Sequence, residues 1–157
     1  MHRPRIGLIA LLVLALIGVA APVRAAATQE QAIETLVNQA VALIEKQGPS
    51  ALEQFSQPNS RWFNDQRALF IFDEQGTELV NPTFPELVGK NLWDHQDPAG
   101  RYTAREQLQM VKTQGSGWMD GMWAKPGGGP AVKTRNYLKG ARMGDKLLVV
   151  GSWHYVD

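Results

Sequence analysis

The segment GSGWMDGMWAKPGGGPAVKTRNYLKGARMGDKLLVVGSWHY, residues 115–155, limits the fold more than any other part of the chain. It holds three runs with strand composition, Gly117–Ala124, Val132–Gly140 and Lys146–Val156. Only a GGGP loop and Met143-Gly144-Asp145 separate them. A parallel crossover needs about a dozen residues or more, so connections this short make the three runs antiparallel neighbours. The last run, LLVVGSWHY, is the most apolar and is expected at the centre of the sheet.

Upstream, RALFIFDEQGTELVNP reads as a hairpin. The apolar, aromatic-rich Ala68–Phe72 goes out, Gln75-Gly76 turns, and Thr77–Val80 returns. Glycine tolerates positive φ in the turn, and Pro82, lacking a ladder donor, stops the second strand. Before the hairpin, Ile33, Leu36, Val37, Ala40, Val41 and Ile44 recur on one helical stripe. The spacing predicts a helix over Thr28–Gln47, opened by a Thr28/Gln31 capping box and closed by Gly48-Pro49. A short helix over Ser50–Phe55 follows. Between the hairpin and the last strands lies Thr83–Gly100, without a period, carrying Trp93, Asp94, His95 and Asp97. Connectors of this length are more often functional than plain links. Tyr102–Thr113 reads as a second amphipathic helix, with Leu108 and Val111 inward.

The first residues belong to targeting rather than to the fold. Arg3 and Arg5 precede an apolar run from Ile6 to Ala21, followed by Pro22 and small residues. This is the layout of a secretory signal peptide, with cleavage expected after Ala25. An uncleaved anchor is the alternative, although the run is slightly short for a span of about 20 residues. The mature domain is then residues 26–157, periplasmic or secreted. Its loss of Arg3, Arg5 and Arg24 turns a formal charge of +1 slightly negative. That balance, without a basic cluster, argues against nucleic acid as a partner. Cysteine is absent, so there are no disulfides, thiolate metal sites or cysteine nucleophile.

Candidate binding residues cluster in the two strands around the GGGP loop. Trp118 and Trp123 are five positions apart and face opposite sides of a regular strand, unless a bulge at Gly121 resets the alternation. Lys133, Arg135 and Tyr137 share one face. That face is either an ordinary solvated one or an anion clamp, in which arginine grips a carboxylate through two bonds, lysine adds a point charge and the tyrosine hydroxyl adds direction. His95, beside Trp93 and Asp94, is a candidate from the connector, whereas His154 in the last strand reads as structural. Asp94, Asp97 and Asp120 are conceivable calcium ligands, but nothing in their spacing builds a site. No GxSxG, HExxH or P-loop motif is present, so neither catalysis nor a cofactor is expected.

Taken in order, ALFIFDEQGTELVNP, PELVGKNLWDHQDPAG, GSGWMDGMWAKP, the Lys133 to Tyr137 segment and LLVVGSWHY resemble the single Cache domain family of bacterial extracytoplasmic sensors, of the Cache_2 type. The resemblance spans Gln29 to Asp157. It implies an α+β, PAS-like antiparallel sheet of five strands. A long N-terminal helix would cover one face, and a helical and loop lid would enclose a pocket on the other. It implies a small organic ligand, often a short carboxylate, with Trp118, Trp123, Lys133 and Tyr137 as the site, Arg135 beside them and His95 from the lid. The lysine-to-tyrosine spacing is one residue longer here than is usual in the family. Family members signal to a membrane-bound kinase or chemoreceptor. A free-standing domain would need such a partner, or a transporter, and could dimerise through its N-terminal helix. The rival expectation is an interaction module whose pocket is filled by its own side chains.

Overall fold

A computed structural model describes residues 21–64 and 68–156, with side chains from residue 28 onward. The elements are α1 (Ala21–Gln47), α2 (Ser50–Phe55), β1 (Phe70–Asp73), β2 (Glu78–Val80), a single 3-10 turn at Pro85–Leu87, α3 (Thr103–Gln114), β3 (Ser116–Ala124), β4 (Ala131–Met143) and β5 (Lys146–Tyr155). The strands form one antiparallel sheet in the order β2-β1-β5-β4-β3. The last strand is therefore central, as its composition requires. The PAS-like α+β architecture is the one expected.

The N-terminal helix differs from expectation at its start. The described part is already helical at Ala21, before the expected start at Thr28. Ala25, Ala26 and Ala27 are strong helix formers and carry it through this stretch. Thr28 and Gln31 thus lie inside the helix, and the capping box has no helix end to cap. The expected cleavage position after Ala25 falls within these added turns, and residues 1–20, with most of the presumed signal peptide, lie outside the described residues. Among the described residues no helix is long and apolar enough to cross a membrane.

The sheet is covered on both faces. On one face the α1 stripe of Ile33, Leu36, Val37, Ala40, Val41 and Ile44 packs on Ile71, Tyr137, Ala141, Leu148 and Val150. On the other, α3 sets Ala104, Leu108 and Val111 against Phe72, Leu138, Leu147 and Val149. Alternate residues of β5 serve opposite cores, which explains why it reads as one continuous apolar run. From Leu147 to Val150 every β5 side chain is buried in one core or the other.

The connector from β2 to α3 is fastened to the sheet edge by its own backbone. Glu78 N donates to Lys90 O at 2.9 Å, and Gly89 N donates to Glu78 O at 2.8 Å. Leu92 N donates to Gly76 O at 2.8 Å. Gly76 sits at φ 83°, and a Cβ there would lie 3.1 Å from Trp93 N, so both the turn and the passing connector require glycine. Further along, Arg101 donates to Asp97 Oδ2 through Nε at 3.0 Å and Nη2 at 2.8 Å. Its Nη1 donates to Asp120 O on β3 at 3.2 Å. Burial alone would raise the Asp97 carboxyl, but the Arg101 backbone N–H, its guanidinium and the Ala99 N–H together hold it below the usual carboxylate range. Asp94 pairs with Arg105, whose Nε also donates to Trp93 O at 2.8 Å. These bonds hold the connector and α3 as a lid over one end of the sheet.

Candidate ligand-binding site

Between the lid and the sheet lies a cavity of about 80 Å³. By the measure in which one water needs about 10–15 Å³, it has room for about five to eight non-hydrogen atoms. Its wall is a chain of rings. Phe72 stacks with Phe70 at 6.4 Å, Phe70 meets Trp153 at 5.8 Å, and Phe84 lies 6.4 Å from Trp153 and 5.8 Å from Trp123. His95, exposed on the lid, closes the series 6.0 Å from Trp123.

Two glycines make this wall possible. A Cβ on Gly151 would come within 2.2 Å of Phe70 Cζ, so the Phe70 ring lies over β5 only because that position is bare. A Cβ on Gly121 would lie 2.7 Å from Asn136 Nδ2 and 3.0 Å from Thr134 Oγ1. Gly121 is the partner of Thr134 in the regular β3–β4 register, with no bulge, and it leaves space for these polar groups to face the cavity.

The polar part of the lining comes from Glu78, Asn81, Thr134 and Asn136, all buried, with Thr103 and Gln107 from α3. Asn136 Nδ2 donates to Met119 O and to Thr134 Oγ1, both at 3.2 Å. Asn81 uses both ends of its amide. Its Nδ2 donates to Glu78 Oε1 at 3.0 Å, and its Oδ1 accepts from Phe84 N at 3.0 Å, which turns the connector back across the cavity. Glu78 is 2% exposed and no cation faces it among the described residues. Burial pushes its carboxyl up to about 8, only partly offset by the Asn81 hydrogen bond.

The six residues expected from the sequence do not converge. Trp123 and His95 line the cavity. Trp118, Lys133, Arg135 and Tyr137 lie on the opposite face of the sheet, toward α1. The hairpin of rings and cations forms, and Lys133, Arg135 and Tyr137 do share a face, but that face belongs to the helix. Arg135 donates through Nε to Glu30 at 2.7 Å and through Nη1 to Asp120 at 3.2 Å, and it lies over the Trp118 ring at 5.4 Å. The Glu30 hydrogen bond, outweighing burial, raises its already high pKa. Trp118 Nε1 donates to Glu34 at 2.8 Å, and its ring packs on buried Tyr137 at 5.3 Å. Lys133 is exposed. Of the clamp expected for a ligand carboxylate, Arg135 instead holds Glu30 of α1 and Asp120 of β3. His154 Nδ1 lies 3.2 Å from Tyr155 O, while its Nε2 is buried, without a hydrogen-bond partner and 3.9 Å from Glu30.

Sequence reasoning passed over Glu78, Asn136, Thr134 and Trp153. One signal was present. Glu30, Glu34 and Asn38 are spaced at helical intervals beside the apolar stripe, and they match Arg135, the Trp118 indole and Lys139, whose Nζ donates to Asn38 at 2.7 Å. That complementarity assigns the cationic parity of β4 to the helix and leaves Thr134 and Asn136 for the cavity. Asp94, Asp97 and Asp120 are each paired with an arginine, and no group of three or more potential metal ligands occurs among the described residues.

Comparison with known proteins agrees with this architecture. The periplasmic sensor domain of a chemotaxis protein is 26% identical, with a TM-score of 0.64 over 91% of this chain and 100% of that one. A Cache chemosensory domain whose structure describes carboxylic acid recognition is 22% identical, with a TM-score of 0.69 over 87% of this chain and 99% of that one. A methyl-accepting chemotaxis protein from Vibrio parahaemolyticus is 19% identical, with a TM-score of 0.66 over 85% of this chain and 93% of that one. The family model described as Cache domain matches residues 24–157. With that match spanning all but the first residues, the chain belongs to the Cache domain family of sensory domains.

Proposed function

We propose that this chain is an extracytoplasmic ligand-binding sensory domain and that the cavity between sheet and lid takes one small organic molecule. The observation that supports this most is the mixed lining of the cavity, in which a wall of rings meets the buried carboxyl of Glu78 and amide of Asn136. Polar groups buried for stability alone are normally satisfied within the protein. The open space also argues against a module filled by its own side chains. Export by a signal peptide cleaved after Ala25 accords with the periplasmic setting of the chemotaxis sensor domain that this chain resembles. Output would pass through α1 to a membrane-bound kinase, chemoreceptor or transporter. The outward residues Gln31, Ala32, Thr35, Gln39 and Ala42 are exposed and offer a surface for a homodimer.

A short organic acid is the second reading of the ligand. It is favoured by the carboxylic acid recognition described for one structural neighbour. Here it would rest on Trp123 and His95 with neutral donors such as Thr134 and Gln107, since Lys133, Arg135 and Tyr137 face α1. The test is a thermal-shift screen of the purified chain against small acids, amines, amino acids and purines. A true ligand at about a hundred times Kd adds about 2.7 kcal/mol and raises Tm by several degrees. Trp123→Ala should abolish that shift. A folded chain that no compound stabilises, in a panel of this breadth, overturns the reading.

A further inference from the structure

The charge inventory of the cavity narrows the ligand class. Among its described lining residues there is no lysine or arginine, and Glu78 and His95 are the titratable groups. The arginines of the lid are turned away, Arg101 to Asp97 and Arg105 to Asp94. Beside the neutral groups of Thr103, Gln107 and Thr134, two deeply buried residues keep acceptor oxygens on the cavity. Glu78 Oε1 accepts one bond from Asn81, and no group among the described residues donates to Oε2. The Asn136 amide is fixed by its bond to the Met119 carbonyl, which can only accept, so its nitrogen is committed and its oxygen is the free end. Both residues are more than nine-tenths buried, at 2% and 8% exposure. Five aromatic rings line the same space, and the face of an aromatic ring carries negative potential.

We propose that the ligand carries a cationic nitrogen, an amine or a small quaternary ammonium, which sits among the rings and pairs with Glu78. This rests on the sensory-cavity reading above and specifies its ligand. A buried carboxyl without a cation is costly when ionised. A ligand cation supplies the missing partner, and the displaced proton leaves to solvent. The site is thereby selective by omission, because a carboxylate placed there would meet Glu78 and the rings without a fixed positive charge.

The test is titration calorimetry of the purified chain with four probes of similar size: n-butylammonium, tetramethylammonium, butyrate and 1-butanol. An ammonium probe should bind at least about tenfold more tightly than butanol or butyrate, and Glu78→Gln should weaken it by about tenfold or more, the scale of a charge-assisted bond. The ranking on the unaltered chain is decisive even where the variant does not fold. Butyrate or butanol binding as well as the ammonium probes overturns the cationic ligand and leaves the cavity reading intact. So does ammonium binding that Glu78→Gln, folded by circular dichroism, leaves unchanged. Silence from all four probes overturns this proposal, and the cavity reading falls with it if the wider thermal-shift panel is silent too.

Discussion

Glu78 and Lys133 give opposite lessons about single residues. Glu78 occupies an unremarkable position in a short edge strand, yet its burial raises the carboxyl from an ordinary 4.5 to about 8. The folded chain therefore holds a proton there that the unfolded chain releases. Its contribution to stability is complete below about 4.5 and is lost as pH rises toward about 8, at roughly 1 kcal/mol per pH unit. Glu78→Gln should remove this slope, so that urea unfolding of wild type and variant diverges across that window and runs parallel above it. Lys133 looked like a ligand residue because it alternates with Arg135 and Tyr137. Being exposed on the α1 side of the sheet, it should be dispensable for binding: Lys133→Ala should change Kd less than about twofold. A tenfold loss would return the site to the opposite face.

At the scale of elements, strand pairing decides what each helix can meet. The β3–β4 ladder runs without interruption from Ser116↔Lys139 to Ala124↔Ala131, so one parity of both strands serves α1 and the other serves the lid. Glycines set the depth of the lid side. Gly151→Ala should drive the Phe70 ring off β5, because the new methyl would lie within 2.2 Å of it. The expected cost is about 1–3 kcal/mol, read from urea unfolding, together with loss of ligand binding as the ring enters the cavity. Gly121→Ala collides with the Asn136 and Thr134 side chains at 2.7 and 3.0 Å. Their movement should weaken ligand binding more than it destabilises the fold, and calorimetry beside a denaturation curve separates the two effects.

For the molecule as a whole, the two faces of the sheet differ in what they must do. The α1 side is a continuous apolar core in which Val37, Ala40 and Ile44 have no exposed surface. The lid side has its own smaller core around α3, and beside it the cavity is roofed by a connector held mainly by hydrogen bonds and two ion pairs. Hydrogen exchange should follow this division. Amides of β4, β5 and the middle of α1 should exchange only through global unfolding, whereas those of residues 85–101 should exchange faster and slow when ligand is bound. Equal protection of lid and core without ligand would show a lid too rigid to admit one.

The sequence by itself determined the elements, their order and the antiparallel sheet with β5 at its centre, because hydrophobic period, turn residues and short connections are local properties of the chain. It also carried the family resemblance and brought Trp123 and His95 forward as candidates. It did not determine that α1 extends ahead of Thr28, since the alanines at 25–27 suit both a helix and a cleavage region. Above all it did not determine which face of β4 looks into the cavity. Alternation separates Lys133, Arg135 and Tyr137 from Thr134 and Asn136, but it assigns neither set to a side. That assignment came from the packing of α1, whose Glu30, Glu34 and Asn38 engage Arg135, Trp118 and Lys139 and leave the neutral parity to the lid. A period of two residues has two equivalent solutions, and only contact with another element chooses between them.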